Sequence, residues 1–216
     1  MRVVIAGGHG KIGLRLGRLL SGRGDQAVGL IRNSDHVADL EDAGVRPVVL
    51  DLERAAVGEV GGTLDGADAV VFAAGAGPGS GAARKDTVDR DAAILLADAA
   101  GAAGVRRYLM VSAIRVDRAD PTSDDVFQVY LRAKAAADAD LRSRDLDWTI
   151  VRPGGLTDDP GTGHVTVGES LEPGQVTRDD VAGVLLAALD HPEWTVRKQF
   201  DLIGGTASIA TGLAAL

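Results

Sequence analysis

Ser112, Tyr130 and Lys134 carry the side chains best suited to chemistry in this sequence. Tyr130 and Lys134 lie four residues apart in a helical pattern, so they share one face, one turn from each other. An ammonium at that spacing stabilises a phenolate and lowers the phenol's pKa. A phenol tuned in this way gives or takes a proton at a carbonyl or an alcohol. Ser112 closes an apolar run, Arg107-Tyr108-Leu109-Met110-Val111, and could hold the same oxygen. The competing reading makes Tyr130 a core-facing helix residue and Lys134 a surface charge. Ser112 precedes Tyr130 by eighteen residues, so only the fold can bring them together. His164 is a further candidate proton donor, or else a solvent-exposed loop histidine.

A second group of residues opens the chain: MRVVIAGGHGKIGLR. Val3, Val4, Ile5 and Ala6 form the apolar, mostly β-branched run of a buried strand. Ile12, Leu16, Leu19 and Leu20 then recur at helical spacing, with glycines at Gly7, Gly8, Gly10 and Gly13 between the two patterns. Strand, glycine turn and helix in that order mark a dinucleotide cradle. Gly7 or Gly8 permits the tight turn, Gly10 lets the backbone approach a pyrophosphate, and Gly13 allows helix to pack closely on strand. The diphosphate would rest on free N–H groups at the positive helix end, with His9, Lys11 and Ile12 among the candidate contacts. Glycine supplies 29 of the 216 residues, so the spacing has weight only in that context.

The following elements fix where the rest of a dinucleotide would lie. A second strand over 26–31 ends at Arg32-Asn33, where this arrangement faces the adenine ribose. An acidic residue there favours a free 2′-hydroxyl, whereas a planar guanidinium suits a 2′-phosphate. Arg32 therefore points to NADP(H) rather than NAD(H), unless it is a solvated arginine opening a loop. Ser34-Asp35 would cap a short helix to Ala43, and a strand over 46–50 leads to Asp51-Leu52. Asp51 either accepts from the adenine amino group or caps the next turn. A fourth strand within 68–75 ends in Ala73, Ala74 and Gly75, small enough for ribose and phosphate to pass close to the backbone.

Glycine-rich residues 75–81 read as a flexible loop, and residues 86–103 as an alanine-rich helix. Tyr108, in the strand over 107–111, reads as a packed aromatic. A polar loop over 113–124, a helix over 126–144 and a strand over 147–152 follow. Residues 165–167 are too short for more than an edge or ribbon strand. Thr177 with Asp180 resembles a capping box for a helix to Leu189, and a strand over 199–203 precedes a short final helix. Strand–helix alternation implies a doubly wound parallel sheet with right-handed crossovers.

Composition narrows the partners. The formal charge of −8 opposes general nucleic-acid binding, and 3% aromatic residues leave few stacking platforms. No cysteine is present, so thiol catalysis and thiolate metal sites are excluded, and the histidines stand singly, which argues against a metal. No run approaches the roughly 18 apolar residues of a membrane span. The first strand is too short, and too soon followed by glycines, for a signal peptide. A cytoplasmic protein, a monomer or weak homodimer acting on a small molecule, is the expectation.

Longer motifs sharpen this. GGHGKIG at 7–13, VFAAG at 71–75, RRYLMVSAI at 106–114, YLRAK at 130–134, DWTIVRPGGL at 147–156, TRDDVA at 177–182 and FDLIGG at 200–205 resemble the short-chain dehydrogenase/reductase superfamily. Within it the chain is similar to the atypical NAD(P)-binding branch of NmrA-like and biliverdin-IXβ/flavin-reductase-like proteins. The resemblance spans nearly the whole chain. It implies an α/β Rossmann-type doubly wound parallel sheet, one domain over residues 1–216, with a small C-terminal substrate-side lobe mainly from 153–216. It also implies NADP(H), with cofactor contacts at Val111, Ser112 and Lys134 and at Pro153, Gly154 and Gly155, where the family's loop folds over the nicotinamide. The implied activity is an NADPH-dependent reductase, with Tyr130 as proton donor, Lys134 as its tuner and ribose binder, and Ser112 as orienter. The branch also contains non-catalytic NADP(H)-binding redox sensors. A sugar-nucleotide epimerase is disfavoured, because the chain is roughly a hundred residues shorter than expected for a domain that also holds a nucleotide sugar.

Overall fold

Strand β1 (Arg2–Ala6) sends Val3 and Ile5 to one face of the sheet and Val4 and Ala6 to the other, and all four are buried. A strand apolar on both faces belongs in the middle of a parallel sheet covered by helices on both sides. The computed structural model describes residues 1–77 and 79–216. Pro78, within the stretch read as a flexible loop, lies outside the described residues.

After β1 come α1 (Lys11–Gly22), β2 (Gln26–Ile31), a 3-10 turn (Ser34–His36), α2 (Val37–Asp42), β3 (Arg46–Val49), α3 (Val57–Thr63) and β4 (Ala69–Phe72). Next are α4 (Ala82–Arg84), a π-helical turn (Lys85–Asp91), α5 (Ala92–Ala102), β5 (Arg107–Val111), a 3-10 turn (Val116–Arg118) and α6 (Val126–Ser143). The last third holds β6 (Asp147–Pro153), β7 (Gly155–Thr157), β8 (His164–Gly168), β9 (Gln175–Thr177) and α7 (Arg178–Asp190). It closes with α8 (Pro192–Thr195), β10 (Lys198–Gly204), β11 (Ala207–Ser208) and α9 (Ile209–Ala214).

Among the described residues, nine strands form one sheet in the order β11-β8-β10-β6-β5-β4-β1-β2-β3. The strands from β10 to β3 pair in parallel, as in a Rossmann-type fold. β1 lies between β2 and β4, so the winding reverses there and opens a crevice at the carboxyl ends of the strands. Leu16 and Leu20 of α1 and Leu185 and Leu189 of α7 cover one face; Val60, Leu96 and Leu141 of α3, α5 and α6 cover the other. No helix among the described residues is long and apolar enough to cross a membrane.

Several local expectations need correction. The sheet is mixed: β8 runs antiparallel to both β10 and β11, so residues 165–167 belong to an interior strand rather than an edge. β7 and β9 form a separate two-stranded ribbon. Leu19, counted into the apolar helix face, is 41% exposed. The cap of the turn after β2 is Asn33, whose side chain accepts from Asp35 N at 3.1 Å. Helix α3 has no counterpart in the sequence reading, because VGEVGGT is poor in helix formers. Glu59 supports its start by accepting from Ala56 N at 2.8 Å.

Candidate functional site

The glycine turn is built as its spacing requires. Gly7 has φ +80°, in the left-handed region. Gly10 N donates to Gly7 O at 2.8 Å, and Gly8 N donates to Leu30 O at 3.0 Å, tying the turn to β2. A Cβ on Gly8 would stand 2.6 Å from Gly29 Cα, and one on Gly13 would stand 2.4 Å from Gly7 O. Both obstacles are backbone. Gly10 is the N-cap of α1, which has no side-chain cap and no acidic residue in its first turn. Its leading N–H groups are therefore suited to an anion.

The turn opens into a cleft of about 320 Å³ at the winding reversal. Gly7, His9 and Gly10 line its floor; Ala73, Ala74 and Gly75 line it from the end of β4. Arg32, Asp51 and Leu52 border it at the ends of β2 and β3. Gly8, Ile12 and Gly13 support this surface from behind. The Lys11 side chain turns away, donating to Asp158 at 2.5 Å.

Two cleft residues escaped the sequence reading. Glu53 accepts from Arg32 Nη1 at 3.1 Å, from Arg84 Nη2 at 2.7 Å and from Thr87 Oγ1 at 2.6 Å. The Arg84 hydrogen bond, with those of Thr87 and the Arg32 charge, holds the Glu53 carboxyl down at about 2. Asp51 caps the turn after β3: its Oδ1 accepts from Glu53 N at 3.1 Å. Two residues after Asp51, Glu53 was findable as a polar group at a strand's carboxyl end. Arg84, 31 residues further on, had no such signal.

The suspected reacting group is arranged differently from its expectation. Lys134 is buried, its side chain only 4% exposed, so it is no surface charge. Its Nζ donates to Val111 O at 3.1 Å and Ala74 O at 3.4 Å, and lies 3.4 Å from Asp89 Oδ1. The ammonium thus pins the ends of β4 and β5 together. Asp89, fully buried in the π-helical turn, also accepts from Ala76 N at 3.2 Å. π-helical turns of this kind occur frequently at functional sites.

Tyr130 is half-buried, 5.5 Å below Lys85 Nζ and 5.9 Å from the Phe127 ring. Burial, together with the Asp89 and Asp138 carboxylates, pushes its phenol above the usual tyrosine range. The expected lowering by Lys134 is therefore corrected, because that ammonium is committed to Asp89. Ser112 Oγ is buried and lacks a hydrogen-bond partner among the described residues. It sits beside Asp138 without the geometry of a hydrogen bond; burial pushes that carboxyl up. Arg152 Nε donates to Asp138 at 2.8 Å, and its Nη2 to Asp117 at 3.1 Å.

Val111, Ser112, Tyr130 and Lys134 lie outside the cleft lining, as do Pro153, Gly154 and Gly155. Gly154 N donates to Leu202 O at 2.8 Å and Gly155 N to Gly174 O at 2.9 Å, which fixes this segment against the C-terminal strands. His164 is exposed, its Nδ1 2.7 Å from Thr162 O, beside a separate cavity of about 340 Å³. Tyr108 is a packed aromatic with no exposure, its hydroxyl donating to Ala93 O at 3.1 Å.

A sequence model described as NAD(P)H-binding matches residues 7–192. The chain belongs to the NAD(P)H-binding family. This NAD(P)H-binding chain is 37% identical over 217 residues to the uncharacterized sugar epimerase YhfK of Bacillus subtilis, covering 100% of both chains. A solved structure from Bacillus halodurans, described as a candidate NAD-dependent epimerase/dehydratase, is 34% identical with a TM-score of 0.90 and 100% coverage of both. The oxidoreductase ylbE of Lactococcus lactis is 27% identical with a TM-score of 0.87, covering 100% of this chain and 96% of that one.

Proposed function

We propose that the protein is an NADPH-dependent reductase for a small carbonyl, quinone, flavin or tetrapyrrole-like acceptor. The observation that carries this reading is the uncapped start of α1 above a glycine cradle, opening into a cleft that has Arg32 at its ribose end. A turn in which Gly7, Gly8 and Gly13 leave no room for a Cβ against neighbouring backbone, leading into helix N–H groups without a side-chain cap, fits a diphosphate. Bound NADPH would supply a hydride, so that the acceptor gains this hydride and one proton and NADP⁺ remains.

The chain's own residues hold the acceptor and supply the proton. Ser112 Oγ, which has no hydrogen-bond partner among the described residues, holds the acceptor oxygen once the acceptor enters. Tyr130, whose raised pKa keeps it a neutral phenol, donates the proton to that oxygen and recovers one from water. Lys134 and Asp89 act on position instead: they fix the ends of β4 and β5, where Ala74 meets the cleft.

A second reading, a non-catalytic NADP(H)-binding regulator, is favoured by the same ion pair, since Lys134 leaves the phenol unactivated. The relative's name suggests an epimerase instead, and its full coverage by this chain removes size as an objection. Epimerisation through a tyrosinate base would need Tyr130 shifted in the opposite direction. The test is NADPH oxidation across a chemically diverse acceptor panel, repeated with Tyr130→Phe. A reductase turns over at least one acceptor, and the variant slows that turnover strongly at little cost in NADPH affinity. No turnover with any acceptor, alongside tight binding, replaces the reductase with the regulator.

A further inference from the structure

The ribose end of the cleft contains a feature that Arg32 does not explain. His9, in the glycine turn, and His36, in the 3-10 turn after β2, stack with ring centroids 3.6 Å apart and planes 12° from parallel. Both line the same cleft as Arg32. Their surroundings differ. His9 Nε2 is held by Asp39 Oδ2 of α2 at 2.7 Å, whereas the His36 ring nitrogens have no hydrogen-bond partner among the described residues.

The other charged groups nearby are engaged elsewhere. Asp35, next to His36, accepts from Asn33 Nδ2 at 3.3 Å, and its backbone N–H donates to Asn33 Oδ1 at 3.1 Å. Glu53 approaches Arg32 at 3.1 Å, using one of the five N–H donors of that guanidinium. Arg32 is thereby oriented while keeping donors for a second anion, and it is 55% exposed along its side chain.

We propose that His36, backed by the His9 ring, is a second phosphate-binding group beside Arg32 and a determinant of selection for a dinucleotide bearing a 2′-phosphate. The inference rests on the NADP(H) reading above and extends it to a residue outside the β2 terminus. Its chemistry follows from charge. An imidazole beside a phosphate dianion favours its protonated form, in which both ring nitrogens donate. The His9 ring, anchored by Asp39, limits the orientations of His36, so less freedom is lost when phosphate binds. NAD⁺, with a free 2′-hydroxyl, offers no dianion and would not draw that proton.

The test is calorimetry of NADP⁺ and NAD⁺ binding to the intact protein at about pH 7.5, in buffers of different ionisation enthalpy. At that pH a phosphate monoester is mostly dianionic. NADP⁺ is expected to bind with net proton uptake, and NAD⁺ with none. His36→Phe preserves a ring to stack on His9 but removes the proton. It should abolish the uptake and lower the NADP⁺/NAD⁺ affinity ratio by roughly tenfold, the worth of one charge-assisted contact. His36→Asn, smaller and polar, should do the same, which separates loss of the imidazole from any effect of the larger ring. The proposal is overturned if His36→Phe retains both uptake and preference. It is also overturned if His36→Asn weakens both nucleotides equally, as a ring packed on adenine would. A wild-type protein that binds NADP⁺ no tighter than NAD⁺ overturns the NADP(H) reading as well; preference that survives both substitutions overturns this inference alone.

Discussion

Asp89→Asn tests whether Lys134 is held in position by a buried partner. The variant keeps the shape of residue 89 but removes its charge, leaving an ammonium whose side chain is 4% exposed with the carbonyls of Val111 and Ala74 and the face of the Phe72 ring but no counter-charge in contact. At the 3.4 Å separation observed, the attraction is about 5 kcal/mol for an effective dielectric constant of about 20. Removing one partner of a buried pair costs about 3–5 kcal/mol, because the remaining charge loses its compensation. For a chain of this size each kcal/mol lowers Tm by about 2–4 °C, so a fall of roughly 10 °C is expected. Lys134→Met should cost a similar amount, since it strands the fully buried Asp89. The double variant should be more stable than the sum of the two losses implies, by at least about 2 kcal/mol. Urea unfolding of the four proteins, followed by circular dichroism, measures the cycle. Single losses below about 1 kcal/mol that simply add would refute the pairing and return Lys134 to the phenol.

Other expected outcomes follow from the cleft. Gly13→Ala drives a Cβ to 2.4 Å from Gly7 O, so nucleotide affinity measured by titration should fall roughly tenfold or more; Gly22→Ala, with nothing within 4 Å, should leave it unchanged. Arg32→Asp should shift preference from NADPH toward NADH, read as a reversed ratio of dissociation constants; an unchanged ratio would place the 2′-phosphate elsewhere. Glu53 has a folded pKa of about 2 against an ordinary 4.5, so its stabilisation is full above about pH 4.5 and lost as pH falls through about 2. At this solvent-screened cleft edge that amounts to about 1 kcal/mol. The stability gap between wild type and Glu53→Gln should therefore close on acidification from pH 6 to pH 2.

The parts of the fold legible in sequence were those fixed by local pattern. Val3 to Ala6 have the apolar, mostly β-branched make-up of a strand buried on both faces, and the order of strand, glycines and helix places the cradle without any tertiary contact. Thr177 likewise caps α7, accepting from Asp180 N at 3.0 Å. What stayed hidden depended on partners distant in sequence. Lys134 looks like a surface lysine until Asp89, 45 residues earlier, is folded against it. The extra residue of the turn Lys85–Asp91 does not disturb the apolar spacing of Val88, Ala92 and Leu96 enough to be read. Arg32 was visible at its strand end, but its neighbour His36 was only one of four scattered histidines until the rings stacked.

The most direct measurement of the central claim is isothermal titration of the folded protein with each pyridine nucleotide. One NADP(H) per chain is expected, bound more tightly than NAD(H), with the affinity weakened by Gly13→Ala. Heat of binding from neither nucleotide would contradict the cradle, and with it the cofactor, the reaction and every role assigned around the cleft.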